Sequence, residues 1–271
     1  MSHNPNLIQL GSVRSNHRAP KFFSGDPATF KAGLKVCIGS TGALSLSKSA
    51  GFQAGISLGK ALSNDSKATA VNTKGLGVPV RLALKRSTGL ITITNVSNLA
   101  AGDTLTVGAT GFVGQAGAIT PGEAKFQASG TTAQTATNLA AAINAHATAS
   151  TLVYAVASSA TVRLYAKVQG EGSGHDVAVS YTDASPTSVG LTLSELSGGK
   201  LAGGSDDPAD IAYVVKGQKV YFNDATGEAD IAMSGFSTIS DATYVDDIME
   251  SLEEDGTAGP PAVYVDMPGG L

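Results

Sequence analysis

The residues best able to do chemistry are scattered through the sequence. The four histidines are His3, His17, His146 and His175, and none has a His, Cys or Glu partner at metal-ligand spacing. No Gly-x-Ser-x-Gly turn is followed by an acid and a histidine in a workable order. The sequence therefore predicts no metal, no cofactor and no catalytic site, and hence no enzyme.

The remaining reactive groups fit structural roles. Cys37 is the only cysteine, so an internal disulfide is excluded, and its place in the apolar run 34–38 predicts a buried thiol. The acidic run that ends at residues 253–256 lacks the alternating ligands and the distal Glu of a calcium loop. We expect these groups to serve packing and surface charge.

Composition argues against two classes of partner. The 18 Lys and Arg residues are scattered singly, aromatic residues do not alternate with them, and the net charge is −4, so we expect no nucleic-acid binding. There is no secretory segment at the start, no long apolar run and no basic amphipathic helix. The sequence therefore predicts a soluble product of the cytoplasm with no membrane contact.

Composition and patterning predict a mainly β protein. Charged residues make up 15% of the chain, aromatic residues 6%, and 33 residues are Gly, a mixture typical of strands joined by tight turns. Short strand-like runs follow one another between residues 32 and 84, in the order expected of a small β-barrel or sandwich. The fold class expected is this small β domain, split by an inserted β-rich module.

One helix is predicted, over residues 132–147 within the inserted module. Thr131 or Thr132 is suited to cap its start. Apolar residues recur at the spacing of one helical face, at positions Ala136, Leu139, Ala140, Ile143 and Ala147. This small, apolar face is expected to lie on a sheet.

The order of the segments predicts three parts. Residues 1–23 form an extended arm, residues 24–86 and 206–271 together form a split β docking domain, and residues 87–205 form an inserted β-sandwich-like module. The strand texture of the first part returns after the insertion, which is why the two outer segments are assigned to one domain.

Two shorter segments mark the chain's return to its first domain. The glycine-rich residues 197–205 are a linker by composition. Residues 212–231 predict a β-hairpin, with strands at 213–215 and 220–222 and a turn at 223–227.

Charge is segregated along the chain. Residues 1–23 carry a net +3, residues 24–205 carry +5 and residues 206–271 carry −12. We expect the acidic end to meet something basic, either the arm of the same chain or a partner, with a solvated acidic surface as the alternative. The arm has neither helical nor strand periodicity, so it is expected to be poorly ordered alone and held by a partner subunit.

Five segments of the split domain resemble the cement, or decoration, proteins of tailed-bacteriophage capsids. They are AGLKV (32–36), GISLG (55–59), GVPV (77–80), VKGQKVYFNDATG (215–227) and VDMPGGL (265–271). In the inserted module, residues 132–145 are similar to β-rich modules with one helix in phage sheath, tube and other virion proteins.

The resemblance implies binding without catalysis. Such proteins lie on the outer capsid surface of the virion, often as homotrimers, and clamp neighbouring subunits of the major capsid protein. The basic arm would extend across a neighbour and become ordered on contact. The partner-binding residues expected there are Arg14, His17, Arg18, Lys21, Phe22 and Phe23.

Two alternatives stay open. The first is a phage tail tube or sheath-type subunit, because the resemblance of the inserted module does not distinguish head from tail. The second is a glycan-binding or hydrolytic virion surface protein, which would need aromatic platforms or paired carboxylates. Tyr154 and Tyr165 are the candidate platform residues, and the absence of Trp counts against this class.

Overall fold

The chain divides into two compact units. Unit 1 consists of residues 1–84 and 207–271, and unit 2 consists of residues 85–206. The predicted limits of the inserted module, residues 87–205, lie within two residues of those of unit 2, and the predicted arm of residues 1–23 falls within unit 1. The structure, a computed structural model, describes residues 8–9, 21–24, 29–38, 43–46, 53–60, 68–72, 75–100, 102–171, 176–184, 189–207, 210–211, 214–232, 236, 238–239, 242–245, 248–253, 255 and 257–267.

Strands dominate both units, so the predicted mainly β class is confirmed, and none of the sheets formed by the described residues closes into a barrel. The described residues of unit 1 form two five-stranded sheets and a hairpin. One sheet has the order β1-β21-β22-β20 with β7 also paired to β22, and the other has the order β2-β6-β5-β3-β4. Their bounds are β1 Ile8–Gln9, β2 Lys21–Ser24, β3 Lys35–Ile38, β4 Leu44–Ser45, β5 Gln53–Lys60, β6 Ala68–Asn72, β7 Gly75–Arg81, β20 Thr243–Tyr244, β21 Met249–Leu252 and β22 Ala258–Met267.

The central ladder of unit 1 joins the two ends of the split domain. The ten-residue β22, from the C-terminal part, pairs antiparallel with β7, from the N-terminal part, and Val263 lies opposite Val80. Both strands are rich in fully buried β-branched residues, as expected for strands inside a core. This pairing explains why one domain needs chain from both sides of the insertion.

The predicted hairpin at residues 212–231 is only partly right. The hairpin observed pairs β18 (Tyr221–Phe222) with β19 (Ala229–Asp230). Val214 and Val215 lie outside any strand, because the chain turns at Gly217, whose φ is +81°. The next residue, Gln218, does not pair within the predicted hairpin, because its carbonyl accepts a hydrogen bond from the backbone N–H of Tyr244. Residues 212 and 213 lie outside the described part.

The described residues of unit 2 form two four-stranded sheets and a further hairpin. Their orders are β11-β10-β9-β14 and β12-β13-β8-β15. Along β8 and β13, burial alternates from residue to residue, so each strand gives one face to the core. The bounds are β8 Thr88–Ile93, β9 Thr104–Val107, β10 Thr110–Gln115, β11 Lys125–Gln127, β12 Val153–Ser158, β13 Thr161–Ala166, β14 Val179–Thr182 and β15 Leu191–Ser194, with helices α1 Val96–Leu99, α2 Thr132–Ala145 and α3 Ala149–Leu152.

The predicted helix is present as α2, capped at its start by Thr131, whose hydroxyl accepts a hydrogen bond from the N–H of Gln134 at 3.1 Å. It ends two residues earlier than predicted, because His146 has an extended backbone (φ −75°, ψ 125°). The His146 Nδ1 accepts the N–H groups of residues 148 and 149, both at 3.3 Å, at the start of α3. Ala147 is therefore exposed rather than part of the apolar face.

Helix α2 lies against the outer strands of both sheets of unit 2. Asn144 makes two hydrogen bonds with the backbone of Ala155 on β12, at 2.8 and 2.9 Å, and Asn138 donates to the carbonyl of Gln127 on β11 at 2.9 Å. Outer strands expose unpaired backbone groups that would otherwise attract other chains. The two asparagines occupy some of those groups, so the helix protects the edges that it joins.

Residues 197–205 are not a linker, contrary to the prediction. Strands β16 (Leu196–Ser197) and β17 (Lys200–Leu201) form a hairpin whose two turn residues, Gly198 and Gly199, have φ of +56° and +75°. Positive φ at both turn positions suits a two-residue hairpin, and glycine adopts it without strain. Farther along, Ser205 bridges Lys85 in antiparallel fashion, so the two ends of unit 2 are adjacent, as an insertion requires.

Candidate functional site

The predicted partner-binding residues fall into two groups. Arg14, His17 and Arg18 lie outside the described residues. Lys21, Phe22 and Phe23 belong to β2, which pairs antiparallel with β6. Of their side chains the structure describes that of Phe23, which is partly buried against the cluster of Val36, Ile38 and Val71. Partner binding by the six residues stays a prediction, and Phe23 also packs within its own unit.

The described parts of the arm form strands, although the arm shows no strand periodicity in sequence. Near its start, β1 pairs in parallel with β21, with Ile8 opposite Ser251 and Gln9 opposite Leu252. At its end, β2 pairs with β6. Backbone pairing at the edge of a sheet needs no alternation of side chains, so pattern reading could not find these strands. The predicted basic segment is thus flanked on both sides by strands that pair with the chain's own sheets.

A buried ion pair connects the two halves of unit 1. The ammonium of Lys35, on β3, donates to the carboxylate of Asp224 in the β18–β19 turn. The Lys35 side chain is 0% exposed and that of Asp224 is 22% exposed. In addition, the Lys35 N–H donates to the Gly227 carbonyl at 2.7 Å. The turn of the C-terminal part is therefore attached to a strand of the N-terminal part by charge and by backbone.

A second ion pair, at the end of strand β7, also connects the N-terminal and C-terminal parts of unit 1. The Arg81 guanidinium, at the end of β7, makes two hydrogen bonds to the Glu253 carboxylate, at 2.7 and 2.5 Å, and donates to the Ala32 carbonyl at 2.5 Å. The Arg81 side chain is 6% exposed. Two fork-like bonds fix both position and orientation, which an ammonium cannot do.

These two pairs give a structural explanation for part of the charge segregation. Asp224 and Glu253 belong to the segment of net charge −12, and their partners belong to residues 24–84 rather than to the arm. Sequence reasoning predicted neither of the two pairs. One signal was present: Lys35 stands inside the apolar run 34–38, where a charged residue needs a partner.

Among the residues that the structure describes, no three His, Cys, Asp or Glu side chains come together as metal ligands would. Cys37 is buried, as predicted. In unit 2, the buried Asp103 accepts hydrogen bonds from the Tyr181 hydroxyl and, at 2.9 Å, from the Ala184 N–H.

The geometry around Asp103 fits a structural role. Burial and the hydrogen bond to Asp103 raise the pKa of Tyr181 to about 12, so this phenol stays protonated. The Tyr181 oxygen also accepts the Gly190 N–H at 2.9 Å. A Cβ at residue 190 would lie 2.5 Å from a carboxylate oxygen of Asp103, so glycine is needed for this approach. The network holds the chain near residue 190 against the start of β9.

The tyrosines named for glycan binding do lie side by side. Tyr154 and Tyr165 are direct cross-strand partners on β12 and β13. However, the Lys167 ammonium lies 3.1 Å from the centre of the Tyr154 ring and the Arg86 guanidinium 5.6 Å from it. Cations therefore already contact the ring on which a sugar would stack. This geometry does not favour the glycan alternative, which stays an untested prediction.

The cavities on unit 2 include a larger one and a smaller one of different character. The larger, of about 480 Å³, is lined by backbone of Gly198, Gly203 and Gly204, and the exposed ion pair of Lys200 and Asp176 at 3.2 Å lies beside it. The smaller, of about 200 Å³, is apolar, with a lining that includes Ile119, Pro121, Ala141 and Ala145. Neither lining contains a histidine or a cysteine.

No protein-family model matches the chain, and no curated protein matches it. None of the helices that the structure describes is long and apolar enough to cross a membrane. The function proposed below therefore rests on the residues and on the motifs quoted from the sequence.

Proposed function

We propose that this chain is a structural virion protein that binds the outer surface of a tailed-phage capsid and stabilises contacts between subunits of the major capsid protein. It does so as a homotrimer, without catalysis, cofactor or metal. Its docking part is unit 1 with the arm, and unit 2 is an inserted module.

The observation that carries the proposal is the position of the motifs that resemble cement proteins. Four of the five segments contribute to one buried cluster of unit 1, although the first and last contributing residues, Ile56 and Met267, are 211 positions apart in sequence. The contributing residues are Ile56, Val78, Val80, Val220, Phe222, Val265 and Met267. Motifs that build one common core support a resemblance of the whole domain better than scattered matches would.

The arm supplies the contact in this proposal. Between β1 and β2 lie residues 10–20, which carry Arg14, His17 and Arg18 and no acid. A segment of this length, attached at both ends, can lie across a neighbouring subunit. Repetition of a weak contact over the copies of a capsid lattice then adds avidity.

The test uses substitutions, because deletion of residues 1–23 would also remove most of β2 and the packing of Phe23. Purified wild-type protein and the variant Arg14→Ala/His17→Ala/Arg18→Ala are each sedimented with empty capsids of the same phage. We expect at least a tenfold loss of capsid affinity in the variant, and a smaller loss at high salt because screening already weakens the wild-type contact.

The matched control is Lys125→Ala/Lys200→Ala, which also removes two positive charges, in this case from exposed positions of unit 2. This control should decorate capsids like wild type. Full-affinity decoration by the arm variant would overturn the role of the arm. Electron micrographs of particles with and without the protein test the location: density in rings along a tail, rather than over the head, would replace this proposal with the tail-subunit alternative.

A further inference from the structure

The start of the arm lies on the most acidic part of the chain. Strand β1 pairs with β21, and β21 lies within residues 246–255, six of which are Asp or Glu. In the sheet order, β1 is the outer strand, so the described residues place nothing beyond it. The arm therefore occupies one side of β21, a sheet edge that any extended strand could pair with.

The arm is long enough to reach a different molecule from the one it belongs to. Residues 10–20 separate β1 from β2, and 11 residues of extended chain span roughly 36–40 Å. A compact unit of about 150 residues has a radius of gyration of about 15 Å. With β2 kept in its own sheet, β1 can thus pass beyond its own unit to a neighbouring copy.

We propose that the side of β21 on which β1 lies is a strand-acceptor site that also takes residues 8–9 of a second copy of this chain, in place of the molecule's own β1. The exchanged strand makes the same backbone hydrogen bonds to Ser251 and Leu252 that it makes within one molecule, so the exchange costs little intrinsic free energy. Local concentration then selects the partner. A tether of this length gives the molecule's own β1 an effective concentration at β21 on the order of mM. The β1 of a neighbour can compete with it when the copies are held together in an assembly at a similar local concentration.

Charge favours a second copy over an unrelated strand. The segment that enters with β1 carries Arg14 and Arg18, and the acceptor strand lies in a run of six acids, of which Glu253 is already paired with Arg81. The net charge of −4 would otherwise oppose the approach of two copies. Each exchanged arm therefore brings positive charge to the acidic run of its neighbour. The interface needs no capsid, so its test is independent of the function proposed above.

Disulfide trapping in the purified protein tests the exchange. The variants Gln9→Cys and Leu252→Cys place one thiol on each side of a paired position. The two single variants are mixed, oxidised at protein concentrations from about 10 µM to several mM, and run on a non-reducing gel. We expect a disulfide-linked heterodimer that increases at least tenfold in yield over this range, and that falls when salt is raised from 0.05 to 0.5 M.

The matched control mixes Gln9→Cys with Val215→Cys, a position that is 46% exposed and away from the acceptor strand. The buried Cys37 is present in every variant and is controlled by wild type alone. If Leu252→Cys does not fold, as judged by circular dichroism, the pair Ile8→Cys and Ser251→Cys replaces it. Equal dimer yields in the matched and control mixtures at every concentration would overturn the proposal.

Discussion

The substitution Asp224→Ala is expected to destabilise unit 1 more than the loss of an ordinary surface charge would. It removes the carboxylate that accepts from the Lys35 ammonium, and the Lys35 side chain is 0% exposed. A buried charge that loses its counter-ion keeps its desolvation cost without the compensating attraction. The β18–β19 turn would also lose its charged attachment to β3.

The size of the expected destabilisation follows from the burial of Lys35 and Asp224. Removal of one member of a buried pair typically costs about 3–5 kcal/mol, and the 22% exposure of Asp224 places this pair near the lower limit. For a domain of this size, about 3 kcal/mol corresponds to a decrease in Tm of roughly 6–12 °C. The double variant Lys35→Met/Asp224→Ala should recover most of that loss, because an apolar chain of similar volume fills the buried site without a charge.

Scanning calorimetry of the wild type, both single variants and the double variant gives the coupling between the two residues. The control is Asp176→Ala, whose pair with Lys200 is 52% and 49% exposed on its two sides, and which should cost less than about 1 kcal/mol. If Asp224→Ala lowers Tm no more than Asp176→Ala does, the ion pair does not stabilise unit 1. The same conclusion follows if the double variant is as unstable as Asp224→Ala.

Three further predictions concern single residues. Asn144→Ala should lower the free energy of unfolding, measured by urea denaturation, by about 1–2 kcal/mol, because it removes two hydrogen bonds to Ala155. The control Thr137→Ala, at an exposed position of the same helix, should change it by less than about 0.5 kcal/mol. Tyr181 should ionise at about pH 12, so its contribution to the free energy of unfolding is complete below about pH 10 and is lost as the pH rises towards 12. In a titration followed by absorbance at 295 nm, the variant Tyr181→Phe should show one fewer late-titrating phenol than wild type. An unchanged titration would contradict this. Gly227→Ala should destabilise unit 1 by at least 1 kcal/mol, since φ is +78° and the new Cβ would lie 2.8 Å from a backbone oxygen; a Tm equal to wild type would refute the strain.

Local patterns were sufficient for the regular elements of unit 2. The apolar spacing from Ala136 to Ile143 predicts helix α2, and Thr131 was one of two predicted caps. The sequence TVRLYA of β13 likewise alternates between side chains that face away from and towards the core. These signals depend on contacts that repeat every two, three or four residues, so they can be read from a short stretch of chain. The mainly β class follows from the same kind of signal.

Local patterns failed where an element is defined by what it pairs with. Strand β21 lies in an acidic run, and β1 has only two residues, so neither shows alternation. Residues 197–205 have the composition of a linker, yet Gly198 and Gly199 turn a hairpin there. In each case, the partner strand supplies the hydrogen bonds that make the segment a strand.

The sequence by itself determined the charge segregation, the helix, the interrupted β domain and the lack of reactive motifs, because each depends on composition or on short-range spacing. Only the tertiary structure decided that Lys35 meets Asp224, 189 residues away, and that Arg81 meets Glu253, 172 residues away. Partner choice over such distances depends on the register of β7 against β22 and on the packing of a common core. No local pattern contains that information, since it arises only when the whole unit is assembled.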